Sequence, residues 1–279
     1  LLSGAPGLAK TRLVEAMGTA LGLSNQRIQF TPDLMPSDIL GSEVLDESAT
    51  GQRSFRFLRG PIFPQLLMAD EINRASPRTQ SALLQAMQER HVTVAGVRHD
   101  LPAPFHVLAT QNPIEQEGTY PLPEAQLDRF LLKVDVNYPD LDTERRILIE
   151  TTSGADQTVR PALDAQRLMA LQALVRKMPV GEKIVSAILS LVREARPEQT
   201  SDPHVKRLVD WGPSPRAGQA LMLAARSRAL LRGRFAPSLE DVEALAEPCL
   251  GHRMAMRYDP TGEAPSLGEL INDLARKVA

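Results

Sequence analysis

The sequence predicts an α/β fold, a parallel sheet layered between helices, followed by an all-α domain. Three observations predict it. An apolar pair, Leu1-Leu2, runs through a glycine-containing loop into Lys10-Thr11 and an amphipathic stretch. Two more apolar runs, residues 65–71 and 105–113, each stop at a polar cluster. Buried parallel strands read this way, and their carboxyl ends are where open α/β sheets bind ligands. From about residue 155 onward the apolar period stays helical and strand patterns disappear.

The opening loop reads Gly4-Ala5-Pro6-Gly7-Leu8-Ala9-Lys10-Thr11-Arg12. The backbone N–H groups of such a loop, with the positive end of the following helix dipole, form a phosphate cradle. Lys10 supplies a charge for β- and γ-phosphates, and the Thr11 hydroxyl suits Mg²⁺. Gly4 and Lys10-Thr11 fit the pattern G-x-x-x-x-G-K-[ST], but Ala9 stands where the second glycine is usual. The competing reading is a Gly-rich turn before an ordinary helix. In the helix, Leu13, Val14, Met17, Ala20 and Leu21 share one face, and Gly22 ends it.

Residues 27–30 are a short strand candidate. Residues 31–62 are broken by Pro32, Pro36, Gly41, Gly51, Gly60 and Pro61, yet residues 54–59 alternate apolar and basic. Two readings stand side by side: an elaborated insertion between core elements, or a long surface loop. Residues 65–71 then form a buried strand that ends at Asp70-Glu71. Asp70 can hold Mg²⁺, and Glu71 can be the base that orients water against a γ-phosphate. Alone, this pair is often a solvated strand end. Placed about 60 residues after a Lys-Thr loop, it points to nucleotide hydrolysis.

Ser76-Pro77 starts a helix with Leu83, Leu84 and Met87 on its apolar face. Residues 91–101 read as a hairpin turning near Ala95-Gly96. The strand 105–113 should set Asn112 beside Asp70 and Glu71, where its amide could hold the attacking water or a γ-phosphate oxygen. A turn-forming Asn-Pro is the alternative. Residues 131–136 are the next strand, closed by Tyr138-Pro139. Arg129, just before it, either pairs with Asp128 or Glu124 or serves as a finger into a neighbouring subunit's nucleotide. Residues 143–151 make a helical connector.

Helices follow on Leu168, Leu171, Leu174, Val175 and Met178, and on Ile184, Val185, Ile188, Leu189 and Val192. A third begins at 213–216 and carries Leu221, Leu223, Leu230 and Leu231. Ser238 with Asp241, and Ser266 with Glu269, resemble capping boxes for two more. The expected division is therefore 1–152 and 153–279. Arg216 opposes the dipole of the helix it starts. Either it is a surface arginine, or it reaches the γ-phosphate if the bundle folds over the loop.

Composition narrows the function. With 32 basic and 34 acidic residues the net charge is −2. Residues 1–150 carry 14 basic and 19 acidic side chains, and 151–279 carry 18 and 15. No basic stripe interleaved with aromatics appears, which argues against a nucleic-acid motor. The intact Asp70-Glu71 pair argues against a non-hydrolysing nucleotide switch. Cys249 is the single cysteine, so no intrachain disulfide forms, zinc is not expected, and a reducing, cytoplasmic setting fits. No apolar run approaches the ~20 residues needed to span a membrane. The chain opens without Met only three residues before Gly4, so preceding residues are expected to be missing.

Together these pieces resemble the AAA+ ATPases, and more closely the MoxR family. Residues 4–11 resemble that family's variant phosphate loop, with alanine before the lysine. Residues 70–74 and 79–84 are similar to its Walker B strand and next helix, and 109–113 to its sensor-one strand. Residues 122–130, Leu-Pro-Glu-Ala-Gln-Leu-Asp-Arg-Phe, are a family-specific string, and Ser214-Pro215-Arg216-Ala217 looks like its sensor two. The resemblance implies a P-loop NTPase αβα domain with a helical lid, binding ATP and Mg²⁺ between subunits of a hexameric ring. Residues 31–62 would be an insertion in the second helix and 91–101 the hairpin before sensor one. It also implies chaperone-like action on a partner, often one containing a von Willebrand factor A domain, in maturation or metal insertion.

Overall fold

The computed structural model describes residues 1–47, 53–112, 118–152, 158–259 and 264–278. Pro113, residues 115–117 and the expected division at 152/153 fall at or inside the gaps. By internal contacts the chain forms two compact units. One comprises Leu1–Leu122 with Asp135–Met169, the other Pro123–Val134 with Ala170–Ala279. The chain thus crosses between units more than once, where the sequence suggested one cut.

The first unit starts with β1 (Leu2–Ser3), the phosphate-type loop and α1 (Lys10–Ala20). Gly22, at φ +62°, lets the chain leave α1 through a left-handed turn. Only Val14 and Gly18 of α1 are buried, whereas Leu13 and Met17 stay exposed, so the apolar face is narrower than its pattern suggested. Next come β2 (Asn25–Gln29), α2 (Pro36–Leu40), β3 (Gly41–Glu47) and β4 (Arg53–Arg59). Strands β3 and β4 pair antiparallel with Gly41 opposite Arg59. Within residues 31–62 the described positions thus hold a short helix and an antiparallel strand pair, not a featureless loop. This pair leans on the second hairpin, where Phe57 stacks on His99 with ring centroids 3.9 Å apart.

Strand β5 (Leu66–Asp70) is buried along its whole length, as its unbroken apolar run requires. Helix α3 (Pro77–Glu89) follows a short 3₁₀ turn at Ile72–Arg74. Ser76 caps it by accepting from the Thr79 N–H at 3.4 Å. Strands β6 (His91–Val94) and β7 (Val97–Asp100) pair antiparallel. Their two-residue turn sets Ala95 at φ 48° and Gly96 at φ 82°, the left-handed pair that such hairpins need. Strand β8 (His106–Gln111) completes the core.

Helix α4 (Glu124–Leu127) belongs to the second unit, and β9 (Val134–Asp135) carries the chain back. The expected strand over 131–136 is only these two residues. Lys133 N–H donates to Pro248 O at 2.8 Å and Arg253 donates to Leu131 O at 3.3 Å, which holds 131–133 to the helical unit. The sheet order is β2-β5-β8-β1-β9, with β2, β5, β8 and β1 mutually parallel. Register places Gln29 opposite Asp70 and Leu2 opposite Thr110. The carboxyl ends of all these strands therefore meet along one edge. Leu2, Val14, Leu23, Leu66 and Met68 pack between sheet and helix.

Helices α5 (Leu141–Thr152) and α6 (Ala165–Lys177) bury no residue in full. The second unit is built from α7 (Glu182–Glu194), α8 (Pro203–Leu208), α9 (Pro215–Leu231), α10 (Leu239–Leu250) and α11 (Leu267–Val278). Their core includes Ile188, Leu191, Leu221, Val242, Leu250 and Ile271. Contrary to the all-helical expectation, β10 (Val209–Trp211) pairs antiparallel with β11 (Ala255–Met256). Both capping boxes form. Asp241 accepts from the Ser238 N–H at 2.8 Å, and Glu269 from the Ser266 N–H at 2.8 Å. Among the described residues no helix is long and apolar enough to cross a membrane.

Candidate functional site

The loop between β1 and α1 is shaped by three positions. Gly4 lies so close to the strand edge that an added Cβ would sit 2.3 Å from Val136 O. Gly7 takes φ +82°. Ala9 caps α1 at φ 54°, ψ 24°, the left-handed conformation that glycine supplies in the usual motif. The altered residue therefore keeps the backbone shape. The Lys10 ammonium is drawn into the loop, donating to Gly4 O at 2.5 Å and Ala5 O at 2.9 Å.

A cavity of about 420 Å³ opens on this loop. Pro6 through Arg12 line one side, and Arg27, Asp70, Glu71, Thr110, Gln111 and Asn112 line the other. Sequence reasoning had placed Lys10, Thr11, Asp70, Glu71 and Asn112 together, and all five line this cavity. Asp70 is 8% exposed and Asn112 6%.

Both oxygens of Asp70 are held. Thr110 Oγ1–H donates to Oδ1 at 2.5 Å, while Arg27 donates to Oδ2 from Nε at 3.0 Å and Nη2 at 2.6 Å. Thr110 Oγ1 also accepts from the Glu71 N–H at 2.8 Å, so one hydroxyl fixes both acids. Glu71 begins the 3₁₀ turn at φ 56°, an uncommon conformation for a residue with a Cβ. Its Oε2 accepts from Gln29 Nε2 at 2.7 Å and Arg74 Nη1 at 3.0 Å. Sequence reasoning gave Arg27, Gln29 and Thr110 no role. The pairing of β5 with β2 on one side and β8 on the other brings them in, and no local pattern signals that.

The donor set fits a nucleotide with a hard divalent cation. A hydroxyl (Thr11) and a carboxylate (Asp70) are oxygen ligands of the kind Mg²⁺ takes, beside an ammonium suited to phosphate. Arg129 and Arg216 lie in the second unit. Arg216, at the start of α9, is 3.8 Å from Asp128 Oδ2. Asp128 also accepts from Ser214 Oγ at 2.8 Å and Arg253 Nε at 2.9 Å. Arg253 is 4% exposed and makes further bonds to Phe130 O and Cys249 O. Asp128 thus serves Arg253 and Arg216. The Arg129 side chain is exposed and makes no ion pair among the described residues, so of its two readings the local pair with Asp128 or Glu124 does not form.

Residues 1–132 match the model of the ATPase family associated with various cellular activities (AAA), and residues 202–274 match the AAA lid domain. The chain is 42% identical over its whole length to chaperone MoxR1 of Mycobacterium tuberculosis, of which it covers 73%. It is 31% identical to protein MoxR of Paracoccus denitrificans, over 95% of this chain and 82% of that protein. A crystal structure from Cytophaga hutchinsonii superposes at TM-score 0.89 with 36% identity, covering 100% of this chain and 84% of that one. On this full-length similarity and the matched AAA and lid models, the chain belongs to the MoxR family of AAA+ ATPases.

Proposed function

We propose that this chain is an Mg²⁺-dependent ATPase that hydrolyses ATP to ADP and phosphate. The reading rests on one observation: Lys10 and Thr11 from the start of α1, Asp70 and Glu71 from the end of β5, and Asn112 from the end of β8 converge on one cavity. The N–H groups of residues 4–11 and Lys10 would hold the phosphates, with Arg12 beside them. Thr11 and Asp70 would hold Mg²⁺, which neutralises phosphate charge when bound. Glu71 orients water and takes its proton, Gln29 and Arg74 aim its carboxylate, and Asn112 holds the water or a γ-phosphate oxygen. Arg216 and, from a neighbouring subunit, Arg129 stabilise the γ-phosphate charge. The family supports a cytoplasmic homo-oligomeric ring, most simply a hexamer. Its cycle would drive chaperone-like remodelling or maturation, including metal insertion, of a partner with a von Willebrand factor A domain.

Two variants test the chemistry. Glu71→Gln keeps shape and loses the base, so nucleotide affinity should stay within about threefold while steady-state turnover falls by about 10²-fold or more. Lys10→Ala removes a phosphate contact and should weaken binding itself by roughly tenfold or more, as loss of a charge-assisted hydrogen bond does. A Glu71→Gln protein that turns over at the wild-type rate would remove Glu71 from the mechanism.

A further inference from the structure

Asp70 already has a cationic partner. An ionised carboxylate offers about four lone-pair positions. Arg27 occupies two at Oδ2 and the Thr110 hydroxyl occupies one at Oδ1. The Arg27 side chain is 47% exposed and lines the same cavity as Lys10 and Thr11. It is not needed to fasten β2 to β5, because those strands are already paired from Asn25 against Leu66 to Gln29 against Asp70. Mg²⁺ binds oxygen at about 2.0–2.1 Å. Its direct approach to Oδ2 would set a divalent charge beside a guanidinium. The two therefore compete for one oxygen, and the forked, charge-assisted contact makes Arg27 a strong competitor.

We propose that Arg27 is a built-in counter-ion that makes metal binding at Asp70 conditional on phosphate in the cavity. The inference rests on the reading of Asp70 as a metal ligand given above. Phosphate held by the Lys10 loop offers Arg27 a second anionic partner within the same cavity. Once the guanidinium shifts toward it, Oδ2 is released to the cation that arrives with the nucleotide. Without phosphate, Arg27 keeps Asp70 neutralised, and a free divalent ion gains little there. Gln29 Oε1 accepts from Arg27 Nη2 at 2.5 Å, and Gln29 Nε2 donates to Glu71, so the same movement loosens a contact to the proposed base.

Mn²⁺ serves as the probe, followed by the electron paramagnetic resonance signal of the free ion. The whole chain is titrated as wild type, Arg27→Gln, Arg27→Lys, Asp70→Asn and Arg27→Gln/Asp70→Asn, with and without ADP. Without ADP, Arg27→Gln should bind Mn²⁺ about tenfold more tightly than wild type, the scale set by removing one charge roughly 5 Å from a divalent ion in water. Arg27→Lys keeps the charge and should stay near wild type. The double variant should lose the gain. With saturating ADP, wild type and Arg27→Gln should converge to within about threefold. Arg27→Gln with wild-type Mn²⁺ affinity overturns the proposal, as does an equal gain in the Asp70→Asn background or in Arg27→Lys. If Asp70→Asn leaves the Mn²⁺ affinity of the ADP-bound wild type unchanged, the fault lies one step earlier, and Asp70 is not the metal ligand.

Discussion

Ala9 occupies a backbone position that favours glycine. At φ 54° its Cβ meets the carbonyl crowding that makes the left-handed region cost about 1–2 kcal/mol for an ordinary residue. Glycine would remove that strain but would also raise the entropy of the unfolded chain, which returns part of the gain. Ala9→Gly should therefore stabilise the first unit by only about 0.5–1 kcal/mol, seen as a higher urea midpoint with unchanged m-value. A lower midpoint would mean that the Ala9 methyl makes contacts worth more than the strain. Glu71 carries the same kind of strain at φ 56°, so a non-glycine left-handed residue flanks the cavity on each side. At Glu71 the turn aims the carboxylate at Gln29 and Arg74 rather than along the strand, which on the proposed function is how the strain serves the base.

Among the elements, the turn at Gly251–Arg253 carries the clearest pH dependence. His252 is buried, with Nε2 on Phe130 O at 3.0 Å and no partner for Nδ1 among the described residues. Burial, helped by the charge of Arg253, pushes its pKa down to about 4. The unfolded chain titrates near 6.5, so between those values it binds more protons than the folded one. Stability should be level on this account above pH ~6.5 and should fall by up to about 3 kcal/mol as pH drops toward 4. Urea unfolding across that range checks it, with His252→Gln expected to flatten the slope. An unchanged slope would assign the acid sensitivity to other groups. Asp241 acts in a lower window. Burial alone would raise its pKa, but Arg234, the Ser238 N–H and Arg228 together hold it below the usual carboxylate range. Its contribution is lost only as pH falls below about 4. Both capping boxes were legible in the sequence because each joins residues three apart. The β10–β11 pair was not, since strands of three and two residues, far apart in sequence, leave no pattern to read. Leu131-Leu132 read as strand because they are apolar, but contacts from α10 and Arg253 override that propensity. The same contrast holds in the cavity. Lys10 and Thr11 follow from the phosphate-loop pattern, and Asp70, Glu71 and Asn112 from the rule that polar residues emerge at strand ends. Arg27, Gln29 and Thr110 depend on which strands become neighbours.

For the whole molecule, residues 123–134 leave the first unit in sequence but join the second in space. They carry Asp128, which is bound by Arg253, Ser214 and Arg216, and Arg129, which points to no carboxylate among the described residues. A buried guanidinium that also takes the carbonyls of Asp128, Phe130 and Leu131 fixes the backbone on both sides of Arg129 while leaving that side chain exposed. An arginine held in that way is available to a second molecule. On the proposed function it places its delocalised charge on the γ-phosphate of a neighbouring subunit only when the two dock. Arg129→Ala should then bind ATP within about threefold of wild type and hydrolyse it about 10²- to 10³-fold more slowly. Glu71→Gln fails through its own pocket, whereas Arg129→Ala fails its neighbour's. Mixing the two inactive proteins creates some interfaces that pair an intact pocket with an intact finger. Activity should return in part and rise with total protein concentration as rings form. A mixture that stays inactive, although crosslinking shows that the two variants assemble together, would leave Arg129 without a role across the interface.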